Sequence, residues 1–222
     1  MICHRLRDDL SFCRIDGHVI FLDLGNDRYF HLSPTMEQLF VRYVDGSAVS
    51  EENIKTLIRS GILNGTPTPP AIEPRAEEAA FRSVLELPDI RATCRLAMVM
   101  EVLAIVCSTQ RRLKARRLKS ILDDLDGSRR ERGTRGMDVD EPRLLRETMG
   151  FHKARKIVPL ATCCLLDSLS LGTFLARRHH RTSLFFGVTN EPFSAHCWLQ
   201  SGDTVLNDTV GNTRTYTVIK VI

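Results

Sequence analysis

The chain has no apolar run long enough to cross a bilayer. Its longest, Leu96–Cys107, is broken by Glu101 and falls short of the ~20 residues a spanning helix needs. A secretory signal is also missing, because Met1–Leu10 is charged where such a signal is apolar. The seven cysteines are scattered with no CxxC spacing. An odd, unpaired set argues against a disulfide framework and for a reducing compartment, so a cytoplasmic protein with no membrane partner is expected. Cys163, His179 and His180 lack the second paired motif of a metal site, and neither a metal nor a cofactor is expected. There is no Gly-rich phosphate loop of the Walker type, which leaves any ATP requirement open.

A further lack is positive charge at the front. Residues 1–65 hold seven Lys or Arg (Arg5, Arg7, Arg14, Arg28, Arg42, Lys55, Arg59) against nine Asp or Glu. A phosphate-binding face needs clustered cations, so nucleic acid is not an expected partner. The remaining residues carry 24 basic and 18 acidic side chains, with cations concentrated in Arg111–Lys119 and Arg129–Arg135. Such a run is a solvated helix face followed by a loop, or a docking surface for an acidic precursor or partner enzyme.

What is present divides in two. At 222 residues the chain can hold two small cores. Thr66-Pro67-Thr68-Pro69-Pro70, prolonged by Pro74, reads as a stiff extended linker. It gives domains at 1–65 and 76–222 with a linker over 66–75. In the first domain, Phe12–Ile15, His18–Leu24 and Arg28–Leu32 read as strands, with Asp16-Gly17 and Gly25-Asn26-Asp27 as turns. Ser33 and Pro34 open a helix whose apolar face is Met36, Leu39, Phe40 and Val44. Ser50-Glu51-Glu52-Asn53 opens a second, running through Ile54, Leu57 and Ile58 to a stop at Gly61.

The second domain reads as helical over Ala76–Leu87, Ile90–Thr109, Leu118–Leu125 and Glu141–Met149, with a mobile stretch at Gly127–Gly136. From Cys164 to Arg178, Leu165, Leu169, Leu171, Phe174 and Leu175 recur at helical spacing, preceded by Pro159 and Thr162 as start signals. A thiol in a first helical turn feels the positive end of the dipole, beside backbone N–H groups able to hold an oxyanion. Ser183–Val188, Ala195–Gln200 and Thr204–Asp208 read as strands. A three-residue loop, Ser201-Gly202-Asp203, places His196 opposite Asp208, with Cβ atoms about 4.5–5.5 Å apart. A two-residue turn would pair His196 with Thr209 instead. Taken singly, Cys164 is a small core residue, His196 a structural strand histidine and Asp208 a turn residue. Taken in order, thiol, imidazole and carboxylate are what nucleophilic acyl chemistry needs.

The run Cys164-Leu165-Leu166-Asp167-Ser168-Leu169-Ser170-Leu171, then Pro192–Leu199 around Ala195-His196-Cys197-Trp198, then Val205-Leu206-Asn207-Asp208, resembles the transglutaminase-like leader peptidases of lasso-peptide biosynthesis. The resemblance covers roughly Leu144 to the C-terminus. It implies Cys164 as nucleophile, His196 as general base and acid, and Asp208 as orienting carboxylate. Two departures stand out: Asp167 where a basic residue is usual, and Cys197 where a small residue such as Ala is common. The front domain, with Asp16-Gly17 and Arg28-Tyr29-Phe30-His31-Leu32-Ser33-Pro34, resembles the PqqD-like precursor-recognition domain.

Together these imply an α+β chain, in which a small winged-helix-like domain of three strands plus helices precedes a papain-like or transglutaminase-like cysteine protease domain. In that family the leader adds as a strand along the third strand, packed against the last helix. Here that means Arg28, Tyr29, Phe30, His31 and Leu32 together with Ile54, Leu57 and Ile58. The implied partners are the precursor peptide and an ATP-using macrolactam cyclase. Two alternatives remain: a transglutaminase-like acyltransferase using the same three residues, and a non-catalytic adaptor that delivers the precursor.

Overall fold

The computed structural model describes residues 4–67, 80–88, 90, 92–131 and 140–222. Packing divides the chain into two compact units, Met1–Ala76 and Glu77–Ile222.

In the first unit β2 (Leu10–Ile15), β3 (His18–Asp23) and β4 (Arg28–His31) form an antiparallel meander in which β4 is an edge. Asp16 and Gly17 both adopt positive φ, 51° and 81°, between paired Ile15 and His18. This is the backbone a two-residue hairpin turn demands. A separate pair, β1 (His4–Leu6) with β5 (Leu63–Pro67), was not apparent from the alternation of residues. It takes Thr66 and Pro67 out of the expected linker, whose remaining residues lie outside those described. Helix α1 (Pro34–Val44) opens with proline after Ser33, although the Ser33 side chain makes no cap. Val44, expected on its apolar face, is 43% exposed at the helix end.

Helix α2 (Glu51–Arg59) is capped by Ser50, whose hydroxyl accepts from Asn53 N. It stops where Gly61 turns to φ 73°, with Ile62 N donating to Leu57 O and Gly61 N to Ile58 O, a pairing that uses the last carbonyls of the helix. Val19, Phe21, Phe40, Leu57, Ile62 and Leu63 form the core.

The second unit is built around a buried helix, α6 (Cys164–Ala176), packed against α3 (Leu96–Ala115), α5 (Glu141–Arg155) and strand β8 (Ser194–Ser201). Seven of its thirteen residues are buried, including Leu166, Leu169, Leu171, Phe174 and Leu175. Helix α4 is Leu118–Glu131. It therefore carries into the expected mobile stretch, whose residues beyond Glu131 lie outside those described.

The sheet runs β10-β7-β8-β9-β6, with β6 (Arg82–Ser83), β7 (Ser183–Thr189), β9 (Thr204–Val205) and β10 (Thr217–Val221). All its pairings are antiparallel except β9 with β6. A one-turn helix, α7 (Val210–Thr213), precedes β10. Glu101, the charge that interrupts the apolar run of α3, is explained by a two-pronged ion pair with Arg178 at 2.6 and 2.9 Å.

Two expected elements are corrected. Residues 80–87 are not helical: Arg82–Ser83 is a parallel edge strand, because Arg82 N donates to Asp203 O and Val84 N to Val205 O, so the sheet takes the backbone bonds a helix would need. Residues 76–79 of that expected helix lie outside those described. The next helix starts at Leu96 rather than Ile90 and continues past Thr109 to Ala115.

Candidate active site

Cys164 is the first residue of α6, and no side chain caps that helix end. Ser50 and Asp140 cap α2 and α5. The first-turn N–H groups of α6 therefore lie beside a thiol instead of a capping oxygen. Half-buried, that thiol receives hydrogen bonds from the Cys197 thiol and backbone N–H and meets the His196 imidazole. These donors outweigh burial and lower its pKa to about 4, the Cys197 side chain contributing most and His196 next.

His196 lies on β8 and its Nε2 is 2.5 Å from Asp208 Oδ2, leaving Nδ1 as the ring nitrogen available to Cys164. Its pKa is raised to about 9, first by the bond to Asp208 and second by the bond to Cys164, against burial. Burial alone would raise the Asp208 carboxyl. Hydrogen bonds from His196, Asn212 Nδ2 (2.8 Å) and Thr209 N (2.7 Å) prevail and hold it below the usual carboxylate range.

Asp208 reaches His196 by a route the alternation of residues did not anticipate. Ser201 pairs with Thr204 and Gln200 with Val205, so the turn is the two-residue Gly202-Asp203 and not the three-residue loop. Continued straight, that register would face His196 with Thr209. Instead β9 ends at Val205 and the chain bends after Leu206, whose N–H still donates to Leu199 O at 2.8 Å. The Asn207 side chain then takes the next place in the ladder, Oδ1 accepting from Leu199 N at 2.7 Å and Nδ2 donating to Ser168 Oγ at 2.8 Å. Ser83 Oγ donates to Asp208 O at 2.5 Å and secures the far side of the bend.

Four more residues shape the site, and the sequence pattern gave none of them a role in it. Tyr216 and Trp198 flank the imidazole, with ring centroids 5.1 and 6.0 Å from it. Gly187 makes room for them: a Cβ there would lie 2.7 Å from Tyr216 Cβ and 2.9 Å from Trp198 Cζ3. Arg155 is a buried cation at the end of α5. Its Nε donates to Asp167 Oδ1 at 2.7 Å, Nη1 to Leu160 O at 3.1 Å and Nη2 to Ala161 O at 3.1 Å. One guanidinium thus holds both the loop leading to Cys164 and the first turn of α6. It also accounts for an acid at 167. An isolated Arg gives no sequence signal of this kind, because its partners lie in a loop without periodicity.

The expected peptide-binding residues divide by exposure. Arg28 and His31 are exposed on β4, while Tyr29, Phe30, Leu32, Ile54 and Ile58 are half-buried. Phe30 stacks on Phe21 at 5.1 Å and lies beneath Arg28. Leu57 is fully buried and belongs to the core, so packing rather than contact with a ligand explains it. Among the described residues no group of three His, Cys, Asp or Glu could hold a metal, and no helix is long and apolar enough to cross a membrane. His180 is instead paired with Glu147 at 2.6 Å.

A family model described as the transglutaminase-like superfamily matches residues 104–221, just over half of the chain, a range holding Cys164, His196 and Asp208. The chain belongs to the transglutaminase-like superfamily. Transglutaminase-like domains are grouped with the papain-like cysteine hydrolases and transferases. No curated protein and no solved structure matches the chain.

Proposed function

We propose that this chain is a cysteine peptidase that removes the leader from a ribosomally made lasso-peptide precursor. The observation that carries the chemistry is the hydrogen-bonded series Cys164, His196, Asp208 at the open end of α6. Superfamily membership supports acyl chemistry, and the resemblance of the three motifs to lasso leader peptidases supplies the substrate class.

The Cys164 thiolate attacks the carbonyl of the last leader residue, and the C–N bond breaks once the His196 imidazolium has given its proton to the leaving amine. Asp208 holds the imidazole through Nε2. First-turn N–H groups of α6 stabilise the oxyanion, each worth about 3 kcal/mol. Water, deprotonated by His196, then releases the acyl group from sulfur and returns the thiolate.

The first unit holds the leader by strand addition at the β4 edge, which the exposure of Arg28 and His31 supports. Because recognition and cleavage share one chain, a bound leader has a raised effective concentration at the nucleophile. The freed core amine passes to an ATP-using macrolactam cyclase in the same cytoplasm.

Mass spectrometry of a precursor from a neighbouring gene, incubated with wild type and with Cys164→Ala, tests the reading. Wild type yields leader and core, while Cys164→Ala binds the precursor with unchanged affinity and leaves it whole. Crosslinked instead of shortened peptide would assign the same three groups to acyl transfer. A Cys164→Ala chain with full activity in cells would leave only an adaptor.

A further inference from the structure

We propose that Cys164 and Cys197 are a reversible thiol pair, in which a peroxide-class oxidant converts the proposed nucleophile into a Cys164–Cys197 disulfide that switches the site off. The loss of activity rests on the function proposed above, but formation of the bond does not.

Geometry places Cys197 against the first turns of α6. The Cys197 thiol hydrogen-bonds to Cys164, and its Sγ is also 3.9 Å from Ser168 Oγ, while Ser168 Oγ donates to Cys197 O at 3.3 Å. Ser168 follows Cys164 by four residues, one turn along the same helix face. Cys197 therefore lies over the first turns of α6. Access differs between the two, for Cys164 is half-buried whereas Cys197 is 2% exposed. An external oxidant meets Cys164 first, and Cys164 is the thiolate of the pair.

Electrostatics then drives the second step. The Cys197 thiol is held protonated chiefly by its bond to Cys164, with burial second. Oxidation of Cys164 removes the negative charge and with it the larger cause. In the first step the Cys164 thiolate and hydrogen peroxide give a Cys164 sulfenic acid and hydroxide, the peroxide O–O bond taking two electrons from sulfur. In the second, Cys197 loses its proton and attacks the sulfenic sulfur, forming S–S and releasing water. Cys163, the exposed neighbour, is a poor resolving group, because adjacent residues close a disulfide only with strain.

The test uses the full, reduced chain treated with hydrogen peroxide and then digested with trypsin. Wild type and a Cys163→Ser variant should both lose two hydrogens and show peptide 157–177 joined to 182–214, with Cys164 alkylation restored by dithiothreitol. Cys197→Ala, an exchange to a residue the resembling family carries there, should give a dimedone-trapped sulfenic acid and irreversible over-oxidation about tenfold faster than wild type. Circular dichroism checks that each variant is folded. Equal over-oxidation in folded wild type and Cys197→Ala, or a link that disappears with Cys163→Ser, would overturn the pair. Because these readouts need no peptide cleavage, a chain that cleaves nothing yet forms the link refutes the peptidase reading alone.

Discussion

Asn207 Nδ2 donates to Ser168 Oγ at 2.8 Å, tying the bend that carries Asp208 to the helix that carries Cys164. The same side chain accepts from Leu199 N, so one amide joins three elements of the site. Asn207→Ala leaves the Leu199 N–H without its acceptor, a loss of about 1–3 kcal/mol for a buried donor. We expect a lowered melting temperature together with a fall in kcat. Asn207→Asp keeps the acceptor, so it should retain more stability than Asn207→Ala while still losing the donation to Ser168. Thermal melts and kinetics on the two variants separate these contributions.

The pH profile follows from the two shifted groups. With Cys164 lowered to about 4, the thiolate persists as pH falls until that value. With His196 raised to about 9, the imidazolium persists as pH rises to that value. The charged pair therefore spans the interval between them, and kcat/KM should be bell-shaped with limbs near those values, belonging to the pair as a unit. Iodoacetamide alkylation of Cys164 should begin near the acid limb. In His196→Ala the onset should move up toward the ordinary thiol range, about 8.5.

Removing Arg155 exposes the cost of a buried ion pair left half-made. Arg155→Met strands Asp167 and frees the Leu160 and Ala161 carbonyls, a loss of about 3–5 kcal/mol. Urea unfolding should show it. Arg155→Met combined with Asp167→Leu should recover much of the stability, but the loop before Cys164 stays unheld, so thiol alkylation near neutral pH should remain slow. Full recovery of both stability and alkylation would limit Arg155 to a packing role.

Gly187→Ala tests the aromatic flanks of His196. The added carbon would sit 2.7 Å from Tyr216 Cβ and must displace it, an overpacking of about 1–3 kcal/mol. Activity should fall with it. Gly211→Ala meets nothing within 4 Å and should change neither.

Much of this arrangement was legible before folding, and the reasons are local. Cys164 at a helix start followed from apolar spacing with Pro159 and Thr162 just ahead of it, and Asp16-Gly17 followed from the backbone a tight turn requires. The residues missed have partners that no periodicity announces. Arg155 answers loop carbonyls five and six residues on, Gly187 answers the Trp198 ring from β8 and the Tyr216 side chain just before β10, and Ser83 answers a carbonyl 125 residues away. The meeting of His196 and Asp208 was expected from a cross-strand register that does not occur. The contact arises because Asn207 ends the ladder with a side-chain bond, a substitution that alternation of polar and apolar residues cannot signal.

Strand β6 gives the second unit a front boundary earlier than the superfamily match, which begins at residue 104. A truncation starting at Leu96 would keep every described helix of that unit and each member of the series Cys164, His196, Asp208. It would nonetheless lay bare the outer rim of β9 and release the Asp208 carbonyl from Ser83. The front edge of the second unit is therefore set by a two-residue ribbon lying ahead of the superfamily match.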